Sequence, residues 1–448
     1  MTKNDAHKKR FKTVLEKKGS VALLGIGGIG MSALASLLQS EGVTVAGFDR
    51  KTNDETIRLI REGISVTVPE GTRLPDGIDA LVYSLAVDKT HPLLLDAIKK
   101  DIPILSRAEL LSLVTEGYEK RIVVAGTHGK STVTSMLAKI FSDAGKKPTV
   151  LCGAKMENGS PFLRGDRKLL ILEGCEYKRA FLSFQPTTAV LLNAEWDHPD
   201  VYKSKEDAQD AFNAFLSLPT VKLCVTGEDI KKGAVFSLHK GDLYARDLSY
   251  IDGCGVFTPI FFGTPLPRLH LSVLGEHNVK NALAALLVAL LLGVSPDAAI
   301  DALSRFGGAG RRMEYKGSLS GARVYDDYAH HPTEIRAAVS AARKITRGKL
   351  ILVFESHTYS RTAAFFKDFA EALKTADVAF VADIFAAREK NESGVSGKAL
   401  AEAANGIYIE NEGDFLARIE STVEAGDTVL FCTAGDFSKI IAKLPLEM

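Results

Sequence analysis

The sequence predicts an α/β protein of more than one domain, with open and mostly parallel sheets. Short apolar runs typical of buried strands alternate with helical patterns in the first 118 residues and again in the last third. Two of these runs end in glycine-rich turns that open into a predicted helix, at residues 25–30 and 126–129. A chain of 448 residues also exceeds what one hydrophobic core normally supports, so two or three domains are expected.

Composition narrows the class of protein. The net charge is +1, from 56 basic and 55 acidic residues, which argues against a general nucleic-acid or membrane-surface role. Five cysteines are scattered without a CxxC pair, as in a cytosolic enzyme with reduced thiols. No apolar segment precedes Ser20, so no signal peptide is expected, and the longest apolar run, Ala282–Leu292, is too short to span a bilayer. We therefore expect a cytoplasmic protein without membrane insertion.

The first predicted unit opens with the strand Val21–Leu24, the GxGxxG turn at residues 25–30 and the helix Met31–Ser40. A second strand, Val43–Phe48, ends at Asp49. This order is a Rossmann-type opening, in which the helix N-terminus faces a diphosphate and the acid a ribose hydroxyl. NAD, FAD and a UDP-sugar all offer these groups, so the turn leaves the ligand open. The unit continues to about residue 118 through two further predicted strands, Ala80–Ser84 and Ile102–Leu105.

A second unit begins with a strand at 121–125, the turn Gly126–Gly129 and a helix over Ser131–Ala144. Such a turn lets backbone N–H groups close around phosphate oxygens, while Lys130 adds a point charge and the Ser131 hydroxyl can hold Mg²⁺. The spacing departs from the common GxxxxGK[ST] form, which would require glycine at position 124. The alternative is a glycine turn that merely caps a helix, and nucleotide binding is the favoured interpretation.

Acidic and imidazole groups follow two later strands. The strand Lys168–Leu172 leads into Glu173, and the strand Thr188–Leu192 leads towards Asp197 and His198. Because ligands of open α/β sheets bind at the carboxyl ends of the strands, Ser131, Glu173 and His198 could face one metal–phosphate centre. A structural role for His198 is the alternative.

Two motifs near the middle of the chain allow more than one interpretation. Asn278 and Asn281 precede the apolar helix Ala282–Leu292 and can act as its cap or as amide readers of a nucleobase; the residues alone favour the cap. Clustered glycines at 307–310 indicate an interdomain hinge, and the arginines that follow, Arg311 and Arg312, clamp phosphate or form a solvated charge.

The last third places polar clusters at strand ends. Strands are predicted at Leu350–Phe354, Val378–Ala382 and Thr428–Cys432, with polar clusters at 325–332, 355–362 and 434–436. The adjacent pair His330 and His331 resembles a metal site, but hydrogen bonding to nucleotide or substrate is favoured because neighbouring side chains in an irregular segment need not converge.

Taken together, these motifs resemble the Mur ligase family of ATP-dependent amide-forming enzymes of peptidoglycan synthesis. The resemblance spans nearly the whole chain and rests on these stretches: GIGGIGMSALA, AGTHGKST, EGCEYKRAFLSFQP, NAEWDHPD, LGEHNVKNA, GGAGRRMEY, YDDYAHHPTEI, SHTYSRT and DIFAARE. It implies three domains: a Rossmann-like UDP-sugar domain at 1–118, a central ATP-binding P-loop domain at 119–309 and a Rossmann-like C-terminal domain at 310–448. That division agrees with the composition changes described above.

The resemblance also implies site residues. Catalytic roles fall to Lys130, His198, His357 and Arg361, the last two near the amino acid and the reacting carboxylate, and Mg²⁺ ligation falls to Ser131, Glu173 and His198. The expected ATP-binding residues are Gly126, Thr127, His128, Gly129, Lys130, Ser131, Thr132, Asn278, Asn281, Arg312, Asp327, Tyr328 and His330. This reverses the cap interpretation of the two asparagines. The expected UDP-sugar residues are Gly27, Gly28, Ile29, Gly30, Asp49, Ser84 and Arg107.

The implied reaction joins L-alanine to the lactyl carboxylate of UDP-N-acetylmuramate through an acyl phosphate, with ATP and Mg²⁺ and no nucleic-acid partner, in a monomer or weak homodimer. The nearest alternative is a murein tripeptide ligase, which adds a preformed peptide to the same sugar nucleotide. A nicotinamide-dependent oxidoreductase would use the 25–30 turn and Asp49 but would leave the phosphate loop unexplained. A nucleotide-sensing regulator without catalysis is the third alternative.

Overall fold

The computed structural model describes residues 3–387 and 389–447. Arg388, within the DIFAARE stretch, lies outside these ranges. The chain forms two compact units. Unit 1 comprises the chain up to Ala125 with Gly145–Leu191 and Asn213–Cys224, and unit 2 comprises Gly126–Ala144, Leu192–Phe212 and the chain from Val225 onwards. No helix in the described ranges combines the length and apolarity needed to cross a bilayer.

Unit 1 contains five helices, ten strands and a short 3₁₀ helix, Tyr177–Ser183, within the described residues. The helices are α1 (Lys3–Glu16), α2 (Ile29–Ser40), α3 (Asp54–Arg61), α4 (Pro92–Lys99) and α5 (Arg107–Thr115). The strands are β1 (Ser20–Leu24), β2 (Thr44–Phe48), β3 (Ser65–Thr67), β4 (Ala80–Tyr83), β5 (Ile104–Ser106), β6 (Lys120–Ala125), β7 (Thr149–Leu151), β8 (Phe162–Leu163), β9 (Leu169–Glu173) and β10 (Thr188–Leu191).

Two sheets organise unit 1. The first is parallel in the order β3-β2-β1-β4-β5. Its central strand β1 is buried from Val21 to Leu24, which explains the continuous apolar run in the sequence. The second sheet runs β10-β6-β9-β7 in parallel, with β8 added antiparallel. In both sheets the predicted strands end where the polar or glycine-rich motifs begin, so these motifs lie at carboxyl strand ends.

Unit 2 contains most of the remaining elements. Two elements have residues in both units: α7 (Lys205–Leu216) and β11 (Leu223–Gly227). Its helices are α6 (Lys130–Asp143), α8 (Glu276–Leu291), α9 (Pro296–Ser304), α10 (Pro332–Arg343), α11 (Tyr359–Ala364), α12 (Phe366–Leu373), α13 (Gly397–Ala403) and α14 (Glu412–Thr422). Its strands are β12 (Ala234–Ser237), β13 (Leu243–Ile251), β14 (Cys254–Phe261), β15 (Thr264–Pro265), β16 (Leu269–Leu274), β17 (Glu314–Leu319), β18 (Ala322–Asp327), β19 (Leu350–Glu355), β20 (Val378–Val381), β21 (Ile407–Tyr408) and β22 (Thr428–Thr433). A 3₁₀ helix follows at Asp436–Lys443.

The last third of the chain forms a six-stranded sheet in the order β17-β18-β22-β19-β20-β21. All neighbours are parallel except the edge pair β17–β18. Strands β18, β19 and β22 therefore end together, and they deliver Asp327, Glu355 and Thr433 to one edge of the sheet. The alternation of strands and helices predicted for this region is confirmed.

Two details differ from the sequence-based expectations. Residues 223–274, for which no elements were predicted, form the strands β11 to β16, and the pairs β13–β14 and β14–β16 are antiparallel. The helix predicted from Ala282 begins earlier, at Glu276, with Gly275 as its N-cap. Almost every position of α8 from Asn278 to Ala289 is buried, so its apolar run reflects a core helix. The domain boundaries at 118 and 309 stay predictions.

Candidate active site

The phosphate loop Gly126–Gly129 leads directly into α6. Gly126 has φ +140° and Gly129 has φ +83°, values that favour glycine. A Cβ on Gly129 would also lie 2.5 Å from Asn281 Oδ1. Gly129 is the N-cap of α6. Because glycine has no side chain, it cannot accept a hydrogen bond from the first N–H groups of the helix. Lys130 Nζ donates to the carbonyls of Gly126 at 2.7 Å and Thr127 at 2.9 Å, which keeps its ammonium beside the loop.

A segment that follows β10 holds the loop in shape. Asn193 Oδ1 accepts from His128 N at 2.9 Å, and its Nδ2 donates to His128 O at 3.1 Å. Thr127 Oγ1 donates to the carbonyl of Glu195 at 2.7 Å. Asn193 was not among the predicted site residues, although it begins the NAEWDHPD stretch. Its amide satisfies both main-chain groups of His128, so the loop is fixed by three hydrogen bonds from one segment.

The two asparagines of α8 do not cap the helix, because both lie inside it. Asn278 Nδ2 donates to the carbonyl of Leu274 at 2.8 Å, and its Oδ1 accepts from Asn281 Nδ2 at 3.1 Å. The cap interpretation is therefore wrong. Both side chains are buried and line the cavity described below, and their roles as ATP-binding residues stay predictions.

The predicted nucleotide residues of the last third follow β18. Burial raises the pKa of Asp327 to about 6, although Arg312 opposes the shift, and its carboxylate accepts 2.8 Å hydrogen bonds from the N–H groups of Met313 and Ala329. Arg312 lies 5.6 Å from the centre of the Tyr328 ring. Its neighbour Arg311 lies 5.1 Å from the centre of the same ring and also pairs with Asp326 at 3.0 Å.

A cavity of about 370 Å³ brings many of these side chains together. Its wall is built from the phosphate loop, the Asn193 segment, the turn after β11, the first turns of α8 and one face of α10. Seven predicted ATP-binding residues line it: His128, Gly129, Thr132, Asn278, Asn281, Arg312 and Asp327. Lys130 and Ser131 are not among the lining residues, but they lie in the chain between Gly129 and Thr132, which are. The other predicted ATP-binding residues belong to segments beside the cavity: Gly126, Thr127, Tyr328 and His330. The volume is in the range of small-molecule sites.

An ionic cluster on the cavity wall was missed by the sequence analysis. Its centre is His128, whose Nε2 lies 3.4 Å from Glu195 Oε2 and whose Nδ1 lies 3.2 Å from Glu334 Oε1. Thr333 Oγ1 donates to the same Glu195 oxygen at 2.7 Å. Glu195 and Glu334 occur in the quoted motifs, but nothing in their spacing indicates that they meet one imidazole.

A second cluster surrounds Arg361. This arginine is 3% exposed, and it binds Asp197 through Nε at 2.7 Å and through Nη2 at 3.1 Å. Its Nη1 lies 3.1 Å from His357 Nδ1, and its Nη2 lies 3.4 Å from His198 Nδ1. The structure therefore brings three of the four predicted catalytic residues together. It also gives Arg361 a carboxylate partner within the protein, which sequence reasoning did not anticipate.

Burial and neighbouring charges shift the pKa values of several groups in and beside this second cluster. Burial lowers the pKa of His357 to about 3, with His330 and Arg361 adding repulsion. Burial likewise lowers the pKa of His330 to about 4. The guanidinium of Arg361 overcomes the desolvation of Asp197 and holds the pKa of that carboxyl well below its usual range. His357 and His330 are thus neutral imidazoles beside the buried ion pair of Arg361 and Asp197. A zinc pair at His330 and His331 was not favoured, and His331 Nδ1 instead accepts from Thr333 N as the N-cap of α10.

The three residues predicted to hold Mg²⁺ come from three separate segments of the chain, and their role as ligands stays a prediction. Ser131 is buried in the first turn of α6. Glu173 ends β9 in unit 1, where its Oε2 accepts from Gly153 N at 2.6 Å. His198 follows Asp197 with φ +53°. The hydroxyl of Ser131 and the carboxylate of Glu173 supply oxygen ligands of the kind that suits Mg²⁺.

The predicted UDP-sugar residues lie at the carboxyl edge of the β1 sheet in unit 1. Asp49 Oδ2 accepts from Gly27 N at 2.8 Å, so the acid fastens the glycine turn. A Cβ on Gly30 would lie 2.5 Å from Arg107 Nη1, which places that guanidinium directly against the first turn of α2. Ser84 follows β4 and accepts from Ala86 N. The predicted roles of Gly28 and Ile29 rest on the same turn.

Comparisons with known proteins agree with this arrangement. Three family models match successive parts of the chain: the Mur ligase family catalytic domain at residues 20–119, the Mur ligase middle domain at 124–289 and the Mur ligase glutamate ligase domain at 311–435. A UDP-N-acetylmuramate–L-alanine ligase of Agathobacter rectalis is 38% identical over 96% of this chain and 98% of the relative. The same-named protein of Caldanaerobacter subterraneus is 37% identical over 95% and 97%.

Solved structures give the same result. UDP-N-acetylmuramate–alanine ligase from Thermotoga maritima is 26% identical and superposes with a TM-score of 0.83 over 95% of this chain and 98% of that chain. A murein peptide ligase from Psychrobacter arcticus is 25% identical with a TM-score of 0.70 over the same shares. The three-domain α/β architecture is confirmed, and the chain belongs to the Mur ligase family.

Proposed function

We propose that this chain joins L-alanine to the lactyl carboxylate of UDP-N-acetylmuramate while converting ATP to ADP and phosphate, a step of peptidoglycan precursor synthesis. The observation that carries the proposal is the cavity of about 370 Å³, where the phosphate loop meets Arg312 and Asp327 of the last third. Relatives about 37% identical over nearly the whole chain carry the name of this activity. A cytoplasmic monomer or weak homodimer belongs to the same proposal.

The chemistry follows from the substrates. A carboxylate is a poor electrophile, so the UDP-N-acetylmuramate carboxylate first attacks the γ-phosphate of ATP, giving an acyl phosphate and ADP. The neutral amine of alanine then attacks the acyl carbon, the bond between that carbon and the phosphate oxygen breaks, and the nitrogen releases a proton as inorganic phosphate leaves. Lys130 and Arg312 would spread the charge that develops on the transferred phosphoryl group, which is a matter of positioning and electrostatics. In this proposal Asn278 and Asn281 contact the adenine.

In this proposal His357, in the cluster around Arg361, has a definite role. Arg361 can only donate hydrogen bonds, so His357 Nδ1, 3.1 Å from its Nη1, acts as the acceptor. The neutral imidazole then carries its proton on Nε2. In this arrangement His357 is a hydrogen-bond donor towards a substrate oxygen, and it does not serve as the base that deprotonates the amine.

We further propose that Ser131, Glu173 and His198 hold Mg²⁺. When bound, the ion neutralises phosphate oxygens and polarises the phosphoryl group that is transferred. The side chains contribute position: Glu173 is fixed by the Gly153 N–H, and Ser131 is fixed by the first turn of α6.

Replacing Glu173 with alanine is expected to raise the Mg²⁺ concentration for half-maximal ADP release at least about tenfold, because one anionic oxygen ligand is lost. Mg²⁺ titration of the steady-state rate measures this. Glu119→Ala, which removes an exposed carboxylate from unit 1, provides the control and is expected to leave the titration unchanged. Unchanged Mg²⁺ dependence of Glu173→Ala would remove this residue from the metal site.

The function itself is tested by ADP formation from ATP and UDP-N-acetylmuramate with each amino acid in turn. We expect ADP release that depends on both the sugar nucleotide and L-alanine. Release supported by tripeptide but independent of alanine would instead assign a murein peptide ligase, the alternative that the Psychrobacter arcticus likeness keeps open. Release that never depends on the muramoyl substrate would indicate a nucleotide-sensing regulator. Tight NAD binding without ATP turnover would indicate an oxidoreductase.

A further inference from the structure

The carboxylate of Glu334 lies within 4 Å of three residues predicted to bind ATP: His128, Arg312 and His330. It lies in the first turn of α10 and is 12% exposed. Its Oε1 lies 3.2 Å from His128 Nδ1 and 3.9 Å from Arg312 Nη1. Its Oε2 accepts from His330 N at 3.1 Å and lies 3.4 Å from His330 Nδ1. One buried anion thus links the phosphate loop, the arginine after the glycine cluster and the segment that precedes α10.

The surroundings of His128 favour its charged form. Both ring nitrogens lie within ion-pair distance of a carboxylate, Glu195 on one side and Glu334 on the other, and both carry a proton in an imidazolium. Burial lowers the pKa of His128, but these two carboxylates outweigh burial and raise the pKa to about 9. His331 also lies beside the ring, with the two ring centres 4.8 Å apart, and its own pKa is lowered by burial and by His128.

We propose that Glu334 is a positioning residue for ATP, which holds the His128 imidazolium at the cavity wall as a second cationic group of the phosphate loop beside Lys130. This inference rests on the proposed function, because it requires ATP phosphates at the loop. Glu334 does not touch the substrate in this role. It acts through His128, and through Arg312, whose guanidinium lies within ion-pair distance of the same carboxylate.

The charge arrangement explains how an acidic residue can support the binding of an anion. An isolated carboxylate on the wall would repel phosphate oxygens. Glu334 instead lies within 4 Å of His128, His330 and Arg312, and its pKa is held well below the usual range by these cationic and N–H groups despite burial. Its negative charge is therefore compensated locally, while the cations it holds remain on the cavity wall.

A purely structural role and the positioning role differ in their dependence on pH. In the wild-type protein most His128 side chains are protonated at pH 6.5 and at pH 8.5, since both values lie below about 9. Replacing Glu334 with glutamine removes one of the two stabilising charges and lowers the pKa of His128. We therefore expect the imidazole of the variant to lose its proton at a lower pH than in the wild type, so the two proteins differ more at pH 8.5 than at pH 6.5, where Glu195 still favours the protonated ring.

The experiment compares the Kd of ATP, measured calorimetrically with Mg²⁺ and without other substrates, for wild type and Glu334→Gln at both pH values. We expect binding weakened about tenfold at pH 8.5 and less than about threefold at pH 6.5, the loss of one charge-assisted contact. Glu371→Gln, which neutralises an exposed carboxylate of α12 that pairs with Lys374, is the matched control. It is expected to follow the wild type at both pH values.

The other possible outcomes of this experiment are also informative about the role of Glu334. An equal loss of affinity at both pH values, or none, would overturn the positioning role. If Glu334→Gln does not fold, Glu195→Gln replaces it, because that side chain is 42% exposed and faces the same imidazole. The same ratio between the two pH values is then expected, and its absence would overturn the inference. Failure of the wild-type protein to bind ATP would contradict the proposed function instead.

Discussion

Replacing Lys130 with alanine is expected to lower kcat for ADP release by a factor on the order of 10³ or more while the protein stays folded. The ammonium is held beside the loop by the carbonyls of Gly126 and Thr127. In the proposed function it would therefore stabilise developing phosphoryl charge from a fixed position. The remainder of α6 is anchored by a buried apolar face that includes Val133, Met136 and Ile140, so the helix does not depend on this side chain.

Steady-state ADP release and the thermal unfolding midpoint check this prediction together. Lys139→Ala provides a matched control on the same helix, since Lys139 pairs with Asp143 at 2.9 Å. The control is expected to retain wild-type kcat. A Lys130→Ala protein with more than about a tenth of wild-type activity would contradict the assignment of the phosphate loop.

The second large effect concerns the buried pair of Arg361 and Asp197. Replacing Arg361 with methionine is expected to destabilise the protein by about 3–5 kcal/mol, because Asp197, 5% exposed, would keep a buried charge without its partner. Activity is expected to fall with it, since Arg361 also lies at hydrogen-bond distance from His357. The thermal unfolding midpoint measures the stability effect without requiring a two-state transition.

Two comparisons make the stability measurement specific. Arg343→Met breaks an exposed ion pair, since the side chains of Arg343 and Asp377 are 42% and 43% exposed. This variant is expected to lower the free energy of unfolding by less than about 1 kcal/mol. The double variant Asp197→Asn with Arg361→Met removes both charges and is expected to regain part of the lost stability. Equal midpoints for Arg361→Met and Arg343→Met would show that the buried pair is no more important than a surface pair.

Much of the fold could be predicted because its signals are local. The buried strand β1, the glycine turn after it and the helix α2 lie within some twenty consecutive residues, and the same holds for β6, Gly126–Gly129 and α6. The start of α8 was misplaced because Asn278 and Asn281 have the composition of a cap. The preceding Gly275 provides the actual N-cap.

The unpredicted part of the site consists of contacts between distant segments. Arg361 and Asp197 are 164 positions apart, and Thr333 and Glu195 are 138 apart. No local periodicity records such a meeting, because it results from how the sheets and helices pack. The sequence therefore revealed which side chains have suitable chemistry, whereas the partners that set their charge and orientation became visible only in three dimensions.

The amide of Asn193 has a consequence for the thermodynamics of binding. It pairs with both the N–H and the C=O of His128, as a neighbouring strand would, and Thr127 is tied to the carbonyl of Glu195 in the same segment. The conformational entropy of the loop is thus lost during folding and not when a nucleotide arrives. A phosphate group that enters such a loop gains its hydrogen bonds without an ordering penalty, so more of its interaction energy is expressed as affinity.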